Sequence, residues 1–388
     1  MKNSLGVDLD ALNKEQLIKL LAEYKNEADK YHNYEQAIKL TLNSIYGATG
    51  NEYAFFFNRD IAETITLQGQ DAILYTEEIM NKYFIEFWHK DLEAHKKMGL
   101  SVHGRVAKPC VVYIDTDSCY ISFDEAMNTS DWNGTIFDFI MNLYNYRLKD
   151  YIEKALQIYA KKWNSDHTLN FELESIAKNV LFIAKKKYIQ NIIWTDPDIH
   201  FEDLTNVKTK GFEIVQSSTP LFARTKLKEL VKFIFASDKL NISKFVKELK
   251  NIRKEFKMAN IENITINLRI NNYAKYIKDD YNEFTIEKGC PMHVRAAGYH
   301  NFLLNNNKKY KGKYQMLPNA EKVKMYYCND KSCNVFAFKS GEYPIEFAPE
   351  FDYDAQFERV IIDPINRLLA AIGLQTLDRN LIYASSVF

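Results

Sequence analysis

The 388-residue sequence carries no net charge, since 51 lysines and arginines balance 51 aspartates and glutamates. That balance sets it apart from strongly basic nucleic-acid binders, although charge of one sign can still gather on one face. Cysteine is scarce. Five residues, an odd number, form no evident framework, which argues against a disulfide-stapled secreted scaffold and for a reducing cytosol. Cys328 and Cys333 are the one close pair, and no second cysteine or histidine pair stands at zinc-finger spacing, so structural zinc is not expected. No apolar run is long enough to span a bilayer and nothing at the amino terminus resembles a signal peptide. The expectation is a soluble, intracellular protein. Internal repeats and extended low-complexity tracts are also missing. What is there is a globular composition, 46% hydrophobic and 14% aromatic, at a length that suits two or three domains.

The most informative stretch is Val111-Val112-Tyr113-Ile114-Asp115-Thr116-Asp117-Ser118. A β-branched apolar run stops at two aspartates and resumes as Cys119-Tyr120-Ile121-Ser122-Phe123, which predicts a strand, a tight turn and a second strand. Carboxylates this close repel each other, and a divalent cation would relieve the repulsion. An Asp-rich turn that solvates its own backbone is the other reading. Upstream, Lys39, Asn43 and Tyr46 stand at i, i+4 and i+7, so a helix carries them on one face, and Gly47 is the expected helix stop. Such a face offers a cation, an amide and a hydroxyl to one ligand; it also suits an ordinary amphipathic helix.

Together and in this order, the two segments resemble the K-x3-N-S-x-Y-G and Y-x-D-T-D-S motifs of family B DNA polymerases, the first on the fingers helix, the second on the palm hairpin. Lys185-Lys186-Lys187-Tyr188 is similar to the K-K-x-Y element that grips the primer strand. The stretch from Lys210-Gly211-Phe212 to Thr219-Pro220 resembles the palm-to-thumb passage of the T-even-type bacteriophage group. Asn271 to Tyr276 and Gly289 to Arg295 are similar to thumb segments of that group. The likeness runs from about residue 30 to the C-terminus. One element is missing: the D-x-x-S-L-Y-P-type strand that carries another essential aspartate is not found before Lys39, nor are an exonuclease domain and the first fingers helix. The resemblance therefore implies the C-terminal portion of a polymerase, either naturally split between two chains or truncated.

The implied fold is α+β: an antiparallel-sheet palm over residues 51–211, a helical fingers remnant over 1–50 and a helix-rich thumb with its tail over 212–388. Helical periodicity is expected in Arg59 to Phe87 and Ser130 to Asn164, strands in Leu169 to Ile176 and Val180 to Trp194, and a loop in Asn305 to Gly312. The resemblance also implies roles. Asp117 would bridge two magnesium ions about 3.5–4 Å apart with the missing aspartate, and Asp115 would be a supporting acid. Glu172 and Glu174 alternate with Phe171 and Leu173, so a strand would point both acids one way. They match an acidic pair near the metals in the phage group, where aspartate replaces Glu172; an exposed strand edge is the alternative. Lys39 and Asn43 would meet the incoming dNTP, and Tyr46 the minor-groove edge of the nascent pair. Lys185, Lys186 and Tyr188 would hold the primer, or the lysines could form a solvated face. Lys208, Lys210, His293 and Arg295 would follow the duplex backbone. The last eight residues, Leu381 to Phe388, keep apolar and aromatic side chains that a sliding clamp could take. The readings carried forward are a polymerase part that needs an N-terminal chain, a non-catalytic primer–template binding module, and a fragment without function. The first is favoured, because every residue type that can be checked in the fingers and palm motifs is present.

Overall fold

The computed structural model describes residues 9–236, 239–278 and 283–383. It divides into two compact units, Met1–Asn133 with Asn142–Phe171, and Gly134–Met141 with Glu172–Phe388. The expected functional boundaries at residues 50 and 211 fall inside these units. The protein is a mixture of helices and antiparallel sheets, the α+β class the sequence implies.

The first unit opens with α1 (Lys14–Gly50), started by a capping box in which Asn13 and Gln16 exchange side-chain-to-backbone bonds of 2.9 and 3.0 Å. Gly47 does not stop this helix. It stays helical and the chain leaves three residues later, where the Asn51 carboxamide accepts from the Tyr53 amide at 3.1 Å and turns the backbone. After α2 (Arg59–Lys82) and a π-helical turn at Tyr83–Phe87 come α3 (Leu92–Met98), β1 (Val111–Asp115), β2 (Ser118–Ile121) and α4 (Asp124–Asn128). The helix α5 (Ile136–Leu143) is shared between the units, and α6 (Lys149–Lys162) returns to the first. The helices α2 and α6 meet through rings: Tyr75 and Tyr159 are 5.0 Å apart, and the Tyr159 hydroxyl donates to Asp71 at 2.9 Å. That contact fixes α2, the helix on which the candidate site rests.

The second unit holds a four-stranded antiparallel sheet of β3 (Ser175–Ala184), β4 (Lys187–Thr195), β5 (Ile199–His200) and β6 (Val207–Lys210), with β4 between β3 and β6. Most of β4 is buried on both faces, including the polar Asn191, whose side chain donates to Asp203 at 2.7 Å and accepts from the Leu204 amide at 3.0 Å. The sheet shares one hydrophobic core with α7 (Leu221–Phe235) and α8 (Ile242–Met258). Phe245, Leu249, Ile252 and Phe256 make a fully buried stripe on α8, following helical spacing. Further on are α9 (Ile261–Ile264), β7 (Ile266–Arg269), α10 (Tyr273–Tyr276), α11 (Met292–Asn306), β8 (Lys322–Tyr327), β9 (Val335–Lys339), α12 (Tyr353–Phe357), α13 (Asp363–Ala371) and α14 (Arg379–Tyr383). The three-stranded sheet β7-β8-β9 was not anticipated in a region expected to be helix-rich with irregular insertions.

Other expectations need correction. The chain between Leu169 and Glu174 forms no ladder, and β3 begins only at Ser175. The expected strand from Val180 to Trp194 is broken at Lys185 and Lys186, because those two residues form the turn of a hairpin in which Ala184 pairs with Lys187. The expected loop from Asn305 to Gly312 starts as the end of α11 and contains a 3-10 turn at Lys308–Tyr310. At the C-terminal end, Ile382 is buried and the Arg253 guanidinium lies 4.7 Å over the Tyr383 ring, so these two tail residues are held by the body. Ala384 to Phe388, most of the expected clamp-docking tail, lie outside the described residues.

His300 of α11 gives the second unit a pH dependence. Burial among Phe336 and Phe347 holds its imidazole down at about 4. The unfolded chain takes up that proton near the ordinary 6.5. As pH falls from 6.5 towards 4, the unfolded state therefore binds the proton first and stability is lost, by up to about 3 kcal/mol; above 6.5 this group costs nothing. Denaturant melts at pH 7 and pH 5 should show the loss in wild type and a smaller one in His300→Gln.

Candidate active site

The hairpin β1-β2 is closed by the Asp115–Ser118 pair, with Thr116 and Asp117 at its tip. Thr116 has φ 61°, unusual for a β-branched residue, and the Asp117 amide donates to the Asp115 carbonyl at 2.7 Å across it. The Ser118 hydroxyl donates to the same carbonyl at 3.1 Å, and the Thr116 hydroxyl to the Asp115 carboxylate at 3.2 Å. This tight turn separates the two acids. Asp115 is buried, 7% exposed, and Asp117 projects into solvent. The sequence places both at a turn; only the structure divides them into a buried acid and an exposed one.

Behind the hairpin stands α2. The Asn81 carboxamide oxygen accepts from the amides of Cys110 at 2.8 Å and Val111 at 3.0 Å, and so fixes where β1 starts. The Cys119 thiol is pushed up to about 11, chiefly by burial and further by Glu77 of α2; burial pushes Cys110 up to about 12. Both thiols stay protonated and inert at neutral pH. Asn81 holds the base of the hairpin and Glu77 neighbours its middle, so the hairpin runs along α2 towards that helix's N-terminal half. Among the described residues no third strand joins β1-β2. An isolated two-stranded ribbon is marginal in water, which makes the α2 support decisive.

Lys39, Asn43 and Tyr46 are all exposed on α1. The Lys39 ammonium lies 2.5 Å from Glu35, whose carboxyl it holds below the usual range by hydrogen bonding and charge. The Tyr46 hydroxyl shares a 3.0 Å hydrogen bond with Thr66 of α2. Beside it opens a cleft of about 760 Å³ lined by Tyr46, Asn51, Tyr53, Arg59, Glu63 and Thr66. From Thr66 to Asn81, α2 rises about 22 Å at 1.5 Å per residue. One rigid helix therefore carries both the tyrosine contact and the carboxylate hairpin.

The remaining residues singled out by sequence belong to the second unit. Glu172 and Glu174 are exposed while Phe171 and Leu173 are half-buried, so the expected alternation is kept without a ladder. Lys185 and Lys186 are exposed at the β3-β4 tip, and Tyr188 is buried against Phe182 with ring centroids 6.0 Å apart. Lys208 and Lys210 point the same way from β6, and the Lys210 ammonium sits 5.5 Å over the Tyr188 ring. His293 is half-buried, and burial lowers its imidazole. Arg295 donates to the Asn334 side chain at 3.0 Å. Sequence reasoning missed Asn81 and Thr66, whose importance depends on partners far along the chain.

Among the described residues, no three histidine, cysteine, aspartate or glutamate side chains gather as a metal cage. The two hairpin carboxylates are nonetheless the hard oxygen donors magnesium takes. That ion is commonly held by one or two carboxylates, with substrate phosphates and water completing its shell. An exposed Asp117 fits such a shared site.

Among the described residues no helix is long and apolar enough to cross a membrane. A family model described as DNA polymerase family B matches residues 12–294. The DNA-directed DNA polymerase of Escherichia phage RB69 is 26% identical over 364 residues, which cover 87% of this chain and 36% of that protein. The DNA-directed DNA polymerase of Enterobacteria phage T4 is 24% identical over 273 residues, 67% of this chain and 28% of its own length. The DNA polymerase alpha catalytic subunit of Xenopus laevis is 24% identical over 270 residues, 69% of this chain and 15% of its own length. The chain thus spans about a third of the length of the two phage relatives.

Proposed function

Because this chain belongs to DNA polymerase family B, we propose that it supplies the C-terminal part of a DNA-dependent DNA polymerase: the end of the fingers, the palm hairpin and the thumb. The observation that carries this reading is an exposed Asp117 above a buried Asp115, on a hairpin fixed to the same helix that bonds Tyr46. Template-directed extension has the primer 3′-hydroxyl attack the α-phosphate of a dNTP in line, with pyrophosphate leaving. Little covalent chemistry falls to the protein, which positions the reactants and neutralises charge. Asp117 would hold magnesium, with Asp115 supporting the turn and Glu172 and Glu174 as further acids. Magnesium bound there supplies positive charge to the phosphate oxygens and to the attacking oxygen. Lys39 meets the β- and γ-phosphates as a point charge. Asn43, one turn on, faces the same nucleotide, and Tyr46 lies against the nascent pair. Lys185, Lys186, Lys208, Lys210 and Arg295 bind primer–template DNA, with affinity that falls steeply as salt rises, and the buried Tyr188 ring acts through the Lys210 ammonium 5.5 Å over it. The expected setting is the cytoplasm, the host's if the chain is viral. A clamp contact falls to Leu381 and Ala384–Phe388, since Ile382 and Tyr383 are engaged elsewhere.

The exposure of α1 supports a partner carrying the missing aspartate and the exonuclease domain. None of the 37 residues of α1 is buried. Leu17, Leu21, Tyr24, Ala28 and Tyr31, then Ile38, Leu42 and Ile45, recur in steps of four and three, interrupted once at Glu35. Leu21, Ile38, Leu42 and Ile45 are 61–69% exposed. A seam of this period is what one other long helix covers. Lys39, Asn43 and Tyr46 each follow a seam residue by one position, about 100° around the helix, so a helix on the seam flanks the nucleotide face without closing it. Primer extension by this chain alone and with the upstream family B polypeptide tests the reading: activity is expected only from the pair. Ile38→Asp with Leu42→Asp should weaken pairing more than tenfold, by about 1.4 kcal/mol or more, in a titration of the upstream polypeptide. Extension by the chain alone would remove the partner from the reading. Extension by neither would remove the polymerase assignment.

A further inference from the structure

The tip of the β3-β4 hairpin has a lysine where the backbone calls for glycine. Lys186 has φ 61°, a left-handed conformation that L-residues adopt at a cost and that glycine or asparagine takes easily. The glycine is present, but on another strand. Gly211, at the end of β6 with φ 67°, lies directly against the Lys186 carbonyl. A Cβ built there would fall far inside van der Waals contact with that oxygen, and would stand 3.1 Å from Lys187 Cγ. The next ladder pair, Tyr188 with Lys210, locks β6 beside the hairpin, and the Gln216 carboxamide donates to the Gly211 carbonyl at 3.2 Å. Close packing against a glycine backbone thus holds the strained peptide in place. The same corner gathers Lys185, Lys186, Lys187 and Lys210 at one end of the sheet.

We infer that Lys186 keeps a strained backbone so that its ammonium faces a nucleic-acid phosphodiester, and that Gly211 is the positioning residue that maintains the strain. The inference rests on the polymerase reading and adds to it a site where binding and stability oppose each other. A purely structural turn would be improved by glycine in every respect. Here glycine should improve the fold and impair the function, because strain that a protein retains marks a site that uses it.

The test uses the full chain and a primer–template duplex, with binding measured across a salt series and melting measured in parallel. Lys186→Gly is expected to raise the melting temperature by about 2–4 °C. The same variant should bind DNA several-fold more weakly at moderate salt, with the log–log salt slope reduced by about one. Lys186→Asn, which also tolerates the left-handed backbone, should behave likewise. Gly211→Ala should lose affinity with all lysines still present. If Gly211→Ala does not fold, the Lys186 variants still decide. A Lys186→Gly protein that melts lower than wild type, or binds DNA with unchanged affinity and slope, overturns the inference and leaves the polymerase reading standing. Wild-type protein that fails to bind the duplex at all overturns both.

Discussion

In the assembled polymerase, Asp117→Asn should slow primer extension by about a hundred- to a thousandfold, the range seen when one preorganised electrostatic group is removed. Binding of primer–template should stay within about twofold of wild type, because the lysines proposed to bind it lie on β6 and at the β3-β4 turn. Asparagine has nearly the shape of aspartate and Asp117 is solvent-exposed, so folding should be unaffected. What changes is charge, since a neutral amide oxygen holds magnesium poorly. The loss should therefore fall on the rate at saturating dNTP, with the dNTP requirement shifting less. Asp115→Asn makes an informative contrast. Its side chain is buried and accepts from the Thr116 hydroxyl, so that variant should lower both activity and melting temperature. Single-turnover extension and thermal melts of the two variants separate the roles. Asp117→Asn extending at the wild-type rate would show that the metal is held elsewhere.

The elements legible in the sequence are those whose cause is local. The hairpin at Asp115 shows itself because apolar strands meet a polar turn within thirteen residues, and α1 because its spacing persists over many turns. Legibility ends where the cause is distant. The sheet β7-β8-β9 joins Ile266 to Met325 across more than fifty residues, although Val323 and Met325 do alternate with Lys322 and Lys324 in the strand manner. The turn at Lys186 is hidden by apolar flanks that have the pattern of continuous strand, and the glycine that accommodates it is Gly211, twenty-five positions on. Glu172 and Glu174 keep a strand's alternation of exposure while making no ladder, which shows that period alone does not guarantee pairing. The difference in burial between Asp115 and Asp117 follows from a backbone reversal at Thr116 that no pattern of polarity predicts.

Asn81 extends the same point to the support of the site. Its single carboxamide oxygen receives the amides of Cys110 and Val111, about thirty residues away, and stands 3.4 Å from the Cys110 sulfur. Asn81→Leu fills similar space but leaves two amides without an acceptor at a largely buried strand end, which should cost about 2–4 kcal/mol. The loss should be local, since the ring contacts between α2 and α6 remain. Hydrogen exchange at Cys110 and Val111 should rise sharply, and extension by the assembled polymerase should fall by tenfold or more as the Asp117 tip loses its fixed position. DNA affinity should change little. Asn81→Asp keeps an acceptor oxygen for both amides and should retain most of their protection. If the leucine variant protects those amides as well as wild type does, the hairpin is anchored by its apolar contacts with α2, and Asn81 is not what aims the carboxylates.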